Sequence, residues 1–123
     1  MGHEKTVVVL GASPNAERYS HKAVAMLAAA GFKVIPVHPA CKEIQGIACA
    51  KSLSDIRGPV HTITVYVNAD RLGAMAQDMI DITPKRIIFN PGTENETVIE
   101  QCRRQGMEVV LGCTLVMLSS GQF

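Results

Sequence analysis

Tryptophan is absent from this chain, and aromatic residues make up only 4% of its 123 positions. Single-stranded nucleic acid is held by stacking bases on aromatic side chains, so that partner class is excluded. Charge of one sign is also lacking. Twelve Lys and Arg against eleven Asp and Glu leave a formal net charge of +1, which gives no field for nucleic-acid or membrane-surface binding. No apolar run approaches the roughly 20 residues that span a bilayer; Ala23–Gly31, with Phe32 beside it, is the best. The short run Val7–Leu10 leads straight into Gly11 and a patterned domain, which does not read as a secretory signal. Cys41, Cys49, Cys102 and Cys113 lack the paired C-x-x-C spacing of a zinc site and are read as reduced thiols of a cytoplasmic protein. Met1-Gly2-His3-Glu4-Lys5-Thr6 satisfies the loose myristoylation pattern, which chance or an expression remnant explains better.

What is present points to one α/β domain over residues 1–123. Apolar residues make up 47% and charged ones 19%, enough to build a core and too apolar for disorder. Five β-branched or aliphatic runs, Thr6–Leu10, Lys33–Val37, His61–Val67, Arg86–Phe89 and Met107–Leu111, alternate with helical patterns. The helices are expected over Ser20–Ala30, closed by Gly31, over Leu72–Ile82, and over Glu94–Gln105, ended by Gly106. His38–Arg57 reads as loop with a short helix from Ser52 to Ile56. This alternation predicts a Rossmann-like, five-stranded parallel sheet with helices on both faces.

Ligands of such sheets bind outside the carboxyl ends of the strands, where the strand order reverses. Gly11-Ala12-Ser13-Pro14, His38-Pro39, Asn68, Asn90-Pro91-Gly92-Thr93 and Gly112-Cys113 fall on that edge. Lys85 and Arg86 fall on the opposite edge and are expected to be solvated surface. In the first loop, Gly11 permits a tight turn, Ser13 offers donors, and the following helix aims free N–H groups at the same space. Arg18 adds a fork of donors suited to phosphate oxygens. The alternative, that Ser20 caps the helix and Arg18 is solvated, is equally open from the loop alone. An NAD site requires G-x-G-x-x-G and an acidic residue after the second strand; here the strand ends Val37-His38-Pro39, with Lys42 just beyond. An NAD(P)-binding module is therefore disfavoured, and no P-loop motif is present.

Val9-Leu10-Gly11-Ala12-Ser13, Arg18-Tyr19-Ser20, Val34-Ile35-Pro36-Val37-His38-Pro39, Ser52-Leu53-Ser54-Asp55-Ile56, Tyr66-Val67-Asn68, Asn90-Pro91-Gly92-Thr93-Glu94-Asn95 and Cys113-Thr114-Leu115-Val116-Met117-Leu118 follow one another in a specific order. In that order the chain resembles the small stand-alone CoA-binding domain proteins, themselves similar to the CoA-binding domain of the succinyl-CoA synthetase α subunit. The resemblance implies coenzyme A as ligand, with Gly11, Ala12, Ser13, Arg18 and Ser20 at its phosphates. It further implies His38, Pro39 and Lys42 at the adenosine and 3′-phosphate, and Val67, Asn68, Pro91 and Gly92 along the groove. The family commonly carries Asn at the position of His38 and Lys at that of Ala40, so Lys42 is the expected substitute charge.

Other side chains have simpler readings. His21, in the first helical turn, has no evident carboxylate partner for catalysis. His61 is read as structural or exposed, and His38 with Cys41 falls short of a metal site. Met75, Met79, Met107 and Met117 are read as core packing. The apolar segment Thr114–Leu118 must cover a sheet edge or a second subunit. Cys113 is placed near the ligand edge, where a mixed disulfide with CoA competes with simple packing, the favoured reading. The function expected is non-catalytic binding of CoA or acyl-CoA by a carrier, sensor or subunit, alone or as a homodimer. The alternative is a component of an acyl-CoA ligase completed in trans by a partner enzyme.

Overall fold

A computed structural model describes residues 5–123. Most of the myristoylation pattern, at residues 1–4, lies outside the described residues. The main sheet contains β1 (Thr6–Leu10), β2 (Lys33–Val37), β5 (Thr62–Val65), β6 (Arg86–Phe89) and β7 (Glu108–Leu111). All neighbours pair in parallel, in the order β2-β1-β5-β6-β7. The order reverses between β1 and β5, and that switch point positions the site. The strand runs and the fold class expected from the alternation are those observed, although the third strand is shorter than His61–Val67.

Strand alternation sends Val8, Leu10, Ile63, Val65, Ile87 and Phe89 to one face, where α3 (Ala76–Ile82) and α4 (Glu96–Arg104) supply Met79, Val98, Ile99 and Cys102. Val7, Val9 and Val34 point to the other face and meet Val24 and Leu27 of α1 (Tyr19–Ala29). The apolar tail becomes α5 (Thr114–Ser119), which packs beside α1 on this second face through Leu118, followed by Phe123. Thus the sheet is covered on both sides. That is why β1 is apolar from Val7 to Leu10 and buried at every position.

Three local features depart from expectation. The helix expected over Leu72–Ile82 is divided into α2 (Ala69–Leu72), a 3-10 turn at Gly73–Met75, and α3; glycine at position 73 weakens a continuous helix there. Within the expected loop, β3 (Glu43–Ile44) and β4 (Ile47–Ala48) form an antiparallel hairpin. Its turn, Gln45-Gly46, has positive φ at both residues (54° and 74°), the geometry that suits the twist of a two-residue hairpin. The returning chain then docks on the outer edge of β2. His38 N–H donates to the Ala50 carbonyl at 3.0 Å, and Ala50 N–H donates to that of Pro36 at 2.9 Å.

Arg86 corrects the expectation of a solvated residue, for it is buried. Its Nε donates to Thr62 Oγ1 at 3.0 Å and its Nη1 to the Phe123 carbonyl at 3.0 Å, while the guanidinium lies 4.3 Å from the Phe123 ring centre. A strand-initial arginine reads as exposed in sequence because the segment that covers it arrives thirty-odd residues later.

Candidate functional site

A cleft of about 960 Å³ opens at the β1/β5 switch point. One wall is the β1–α1 loop. Gly11 has φ of 85°, and a Cβ there would meet Val67 Cγ2 at 2.9 Å and the Tyr66 carbonyl carbon at 3.0 Å, so only glycine fits against the end of β5. The next residue, Ala12, donates its N–H to the Val37 carbonyl at 3.2 Å, tying the loop to the end of β2. Ser13 Oγ accepts from Asn15 N–H at 3.1 Å and closes a small turn. Among the described residues no side chain caps the N-terminus of α1, whose N-cap position is Arg18. Arg18, Tyr19 and Ser20 line the cleft, so the first turn of α1, the positive end of the helix dipole, borders it. Ser20 therefore does not act as the cap.

His21 is buried behind this loop. The Ser13 carbonyl accepts from its Nδ1 at 2.9 Å, and its Nε2 lies 2.7 Å from Gln45 Nε2. With Nδ1 as the protonated nitrogen, Nε2 accepts from the Gln45 amide. His21 thus holds the loop to the β3–β4 hairpin.

The opposite wall begins at His38. Its Nδ1 lies 3.0 Å from Ala40 N and 2.9 Å from Cys41 N, and accepts from both N–H groups. An asparagine side chain makes this same local turn through its carbonyl oxygen, which is how histidine can stand where the resembling family commonly has Asn. Lys51 and Ser52 sit beside it on the cleft, brought there by the bridge between Val37 and Ala50. Tyr66, Val67 and Asn68 form the floor after β5, with Arg71, Met75 and Asp78 across from the loop and Pro91 and Thr93 at the end of β6. Asn68 Oδ1 caps α2 by accepting from Asp70 N–H at 2.9 Å. Burial, above all, pushes the Tyr66 phenol up to about 12.

Of the residues expected at the site, Gly11, Ala12, Ser13, Arg18, Ser20, His38, Pro39, Val67, Asn68 and Pro91 are gathered on this cleft. Lys42 and Gly92 are not among its lining residues. Lys42 enters the hairpin, where its carbonyl accepts from Cys49 N–H at 2.9 Å and its side chain is exposed. Gly92 turns outward with φ of 89°, its N–H donating to Glu94 Oε1 at 2.9 Å. Lys51 and Arg71 were missed: nothing local in the sequence marks either, and both reach the cleft through long-range chain return. Cys113 lies at the N-cap of α5, also outside the lining. Met79 and Met107 are core, whereas Met75 reaches the cleft. Among the described residues no group of three His, Cys, Asp or Glu could hold a metal, and no helix is long and apolar enough to cross a membrane.

Comparison with known proteins agrees with this fold. The chain is 39% identical to an uncharacterized protein of known crystal structure, with a TM-score of 0.91 covering 99% of this chain and 100% of that one. It is 26% identical to YneT, an uncharacterized protein of Bacillus subtilis, over 107 residues, or 87% of this chain and 79% of YneT. The dinucleotide-forming acetyl-coenzyme A synthetase 1 of Ca. Korarchaeum cryptofilum shares the fold at 22% identity, with a TM-score of 0.77, over 89% of this chain and 26% of the synthetase. Residues 5–119 match the CoA binding domain, so the chain belongs to that family.

Proposed function

We propose that residues 1–123 act as one cytoplasmic CoA-binding domain that takes CoA or acyl-CoA in the β1/β5 cleft without transforming it, as a carrier, sensor or subunit. The observation that carries this reading is the uncapped start of α1, facing the same cleft as Gly11, Ser13 and Arg18 in a chain of this family. Free amides, a helix dipole and a guanidinium make a receptor for the pyrophosphate. His38 and Pro39 receive the adenosine, and Lys51, on the cleft where Lys42 is not, reads the 3′-phosphate. Val67, Asn68 and Pro91 line the pantetheine path.

Calorimetry and thermal unfolding test the assignment together. CoA at a hundred times its Kd should add about 2.7 kcal/mol to stability, and NAD should add nothing comparable. Arg18→Ala should weaken CoA about ten- to a hundredfold without unfolding the chain, as loss of a charge-assisted hydrogen bond requires. Lys51→Ala should weaken CoA and leave dephospho-CoA unchanged, while Lys42→Ala should affect neither. Equal shifts with NAD and CoA would overturn the ligand, and equal losses for both CoA forms in Lys51→Ala would remove Lys51 from the 3′-phosphate.

The alternative role, a ligase component completed in trans, is favoured by one observation. The same fold occupies about a quarter of the larger acetyl-coenzyme A synthetase. Co-purification of an ATP-dependent partner, with acyl-CoA formed only by the mixture, distinguishes it from passive binding.

A further inference from the structure

The β3–β4 hairpin carries a second piece of chemistry that the cleft does not use. Cys41 precedes β3 and Cys49 follows β4, so the two thiols stand at the open end of the hairpin. The pairing of Glu43 with Ala48 would set Cys41 opposite Ala50 and Cys49 opposite Lys42, on opposite faces of a regular ladder. A bend at Lys42 breaks that alternation. Both cysteines consequently pack against the same apolar cluster, which contains Ile44 and is also met by Ile47. Their backbones are joined next to the thiols by the 2.9 Å bond from Cys49 N–H to the Lys42 carbonyl. The two cysteines are one residue out of register, so strands about 5 Å apart with a rise of about 3.4 Å per residue put their Cα atoms about 6 Å apart, inside the separation of up to about 7 Å that a disulfide spans.

The thiols also sense one another. Burial first, and then the neighbouring Cys41 thiol, push Cys49 up to about 11. Cys41 Sγ donates to the Glu43 carbonyl at 2.9 Å. Both cysteines are half-buried, leaving a small molecule access, whereas Cys102 is fully buried in the opposite core.

We propose that Cys41 and Cys49 are a reversible dithiol–disulfide site, oxidised by low-molecular-weight disulfides. Cys41, as thiolate, attacks one sulfur of the small disulfide; a new S–S bond forms, the old one breaks, and one small thiolate leaves and takes up a proton. Cys49 then gives up its proton and attacks Cys41 Sγ, expelling the second small thiol. Two protein thiols are oxidised to one disulfide, and one small disulfide is reduced to two thiols. Cys49 is suited to the second step, since a thiol held protonated at neutral pH waits until its neighbour has been captured. The residues flanking the pair, His38 and Pro39 before it and Lys51 and Ser52 after it, line the cleft. The bond would pin those two segments together at the hairpin base.

This inference does not rest on the CoA reading, because neither thiol lines the cleft. The full chain is reduced, freed of reductant, incubated with excess oxidised glutathione, alkylated, and read by intact mass and peptide mapping. The result expected is an intact mass lower by two hydrogens before alkylation, a Cys41–Cys49 cross-linked peptide, Cys102 and Cys113 free of any cross-link, and full reversal by dithiothreitol. Cys49→Ser should instead accumulate a glutathione adduct on Cys41, and this variant retains one small side chain for another at a half-buried position. Failure of Cys41 and Cys49 to cross-link, a lasting glutathione adduct on either in the unaltered chain, or a cross-link through Cys102 or Cys113 would overturn the proposal.

Discussion

Beneath α3 and α4 the sheet offers apolar side chains at every position but the strand-initial Thr6 and Lys33, and Phe89, Ile63, Ile87 and Met79 are wholly buried there. Beneath α5 the same sheet offers Thr62, Thr64 and Arg86, each buried and each hydrogen-bonded. Thr64 Oγ1 lies 2.7 Å from Thr114 Oγ1 and accepts from Asn90 Nδ2 at 2.7 Å. Asn90 Nδ2 also donates to the Val65 carbonyl at 2.8 Å, while its Oδ1 accepts from Thr114 N–H at 2.9 Å. Apolar burial is large and non-directional, so the first face supplies stability without dictating one arrangement. Hydrogen bonds contribute less on balance but demand particular geometry. The second face therefore fixes where α5 begins and how the strand ends are spaced, and those strand ends carry the cleft.

Breaking the apolar face should produce the largest effect. Phe89→Ala should cost about 3–5 kcal/mol, read as a lowered urea midpoint; a loss smaller than that of any polar-face variant would reverse the contrast. Asn90→Ala comes next. It leaves the buried Thr114 N–H without its acceptor at about 1–3 kcal/mol and takes from Thr64 Oγ1 one of its two partners, and hydrogen exchange should rise in α5 before it rises in α3 or α4. Uniform exchange across all three helices would mean that Asn90 does not position α5 in particular.

Thr64→Val and Thr114→Val sharpen the comparison further. Thr64→Val strands the Thr114 hydroxyl, Thr114→Val leaves Thr64 Oγ1 only its bond from Asn90, and the double variant removes both hydroxyls, so the cycle should show a coupling of about 1 kcal/mol, with the pair costing less than the sum. Additive losses would mean that the two hydroxyls are satisfied elsewhere. The smallest effect is alkaline. Tyr66, on this same side, titrates near 12 in the fold against 10.0 ordinarily, so folding favours its neutral form. That contribution is complete below 10.0 and is lost as pH rises towards about 12. Tyr66→Phe should flatten the fall of the urea midpoint across this window; an unchanged slope would assign it to other groups, Cys49 first among them.

Much of this architecture was legible because it depends on residues near one another in sequence. Thr6–Leu10 announces a strand buried on both faces, and Gly11 announces the turn after it. The hairpin escaped notice because two-residue strands have no measurable period, and only Gln45-Gly46 hinted at its turn. Lys51 was hidden for the same reason: its place on the cleft is decided by the return of Ala50 to β2, whereas Lys42, closer in sequence to Pro39, lies off the lining. Arg86 and Thr62 read as the ends of two strands. Their burial follows from α5 and Phe123 arriving over them, a contact that no local window contains.

The docking of Ala50 on β2 also bears on how copies of this chain could meet. Lys33 N–H turns inward to the Lys5 carbonyl, so Val34 and Pro36 turn outward. Pro36 has no N–H to offer and its carbonyl is taken by Ala50, which leaves little on that edge for another strand to pair with. At the far end of the sheet, Glu108 N–H and Gly112 N–H turn inward, leaving Val109 and Leu111 facing out on β7. A sheet with two open edges can recruit copies without limit. With the β2 edge largely occupied, strand-to-strand joining of this fold is directed to β7, where two chains can pair edge to edge.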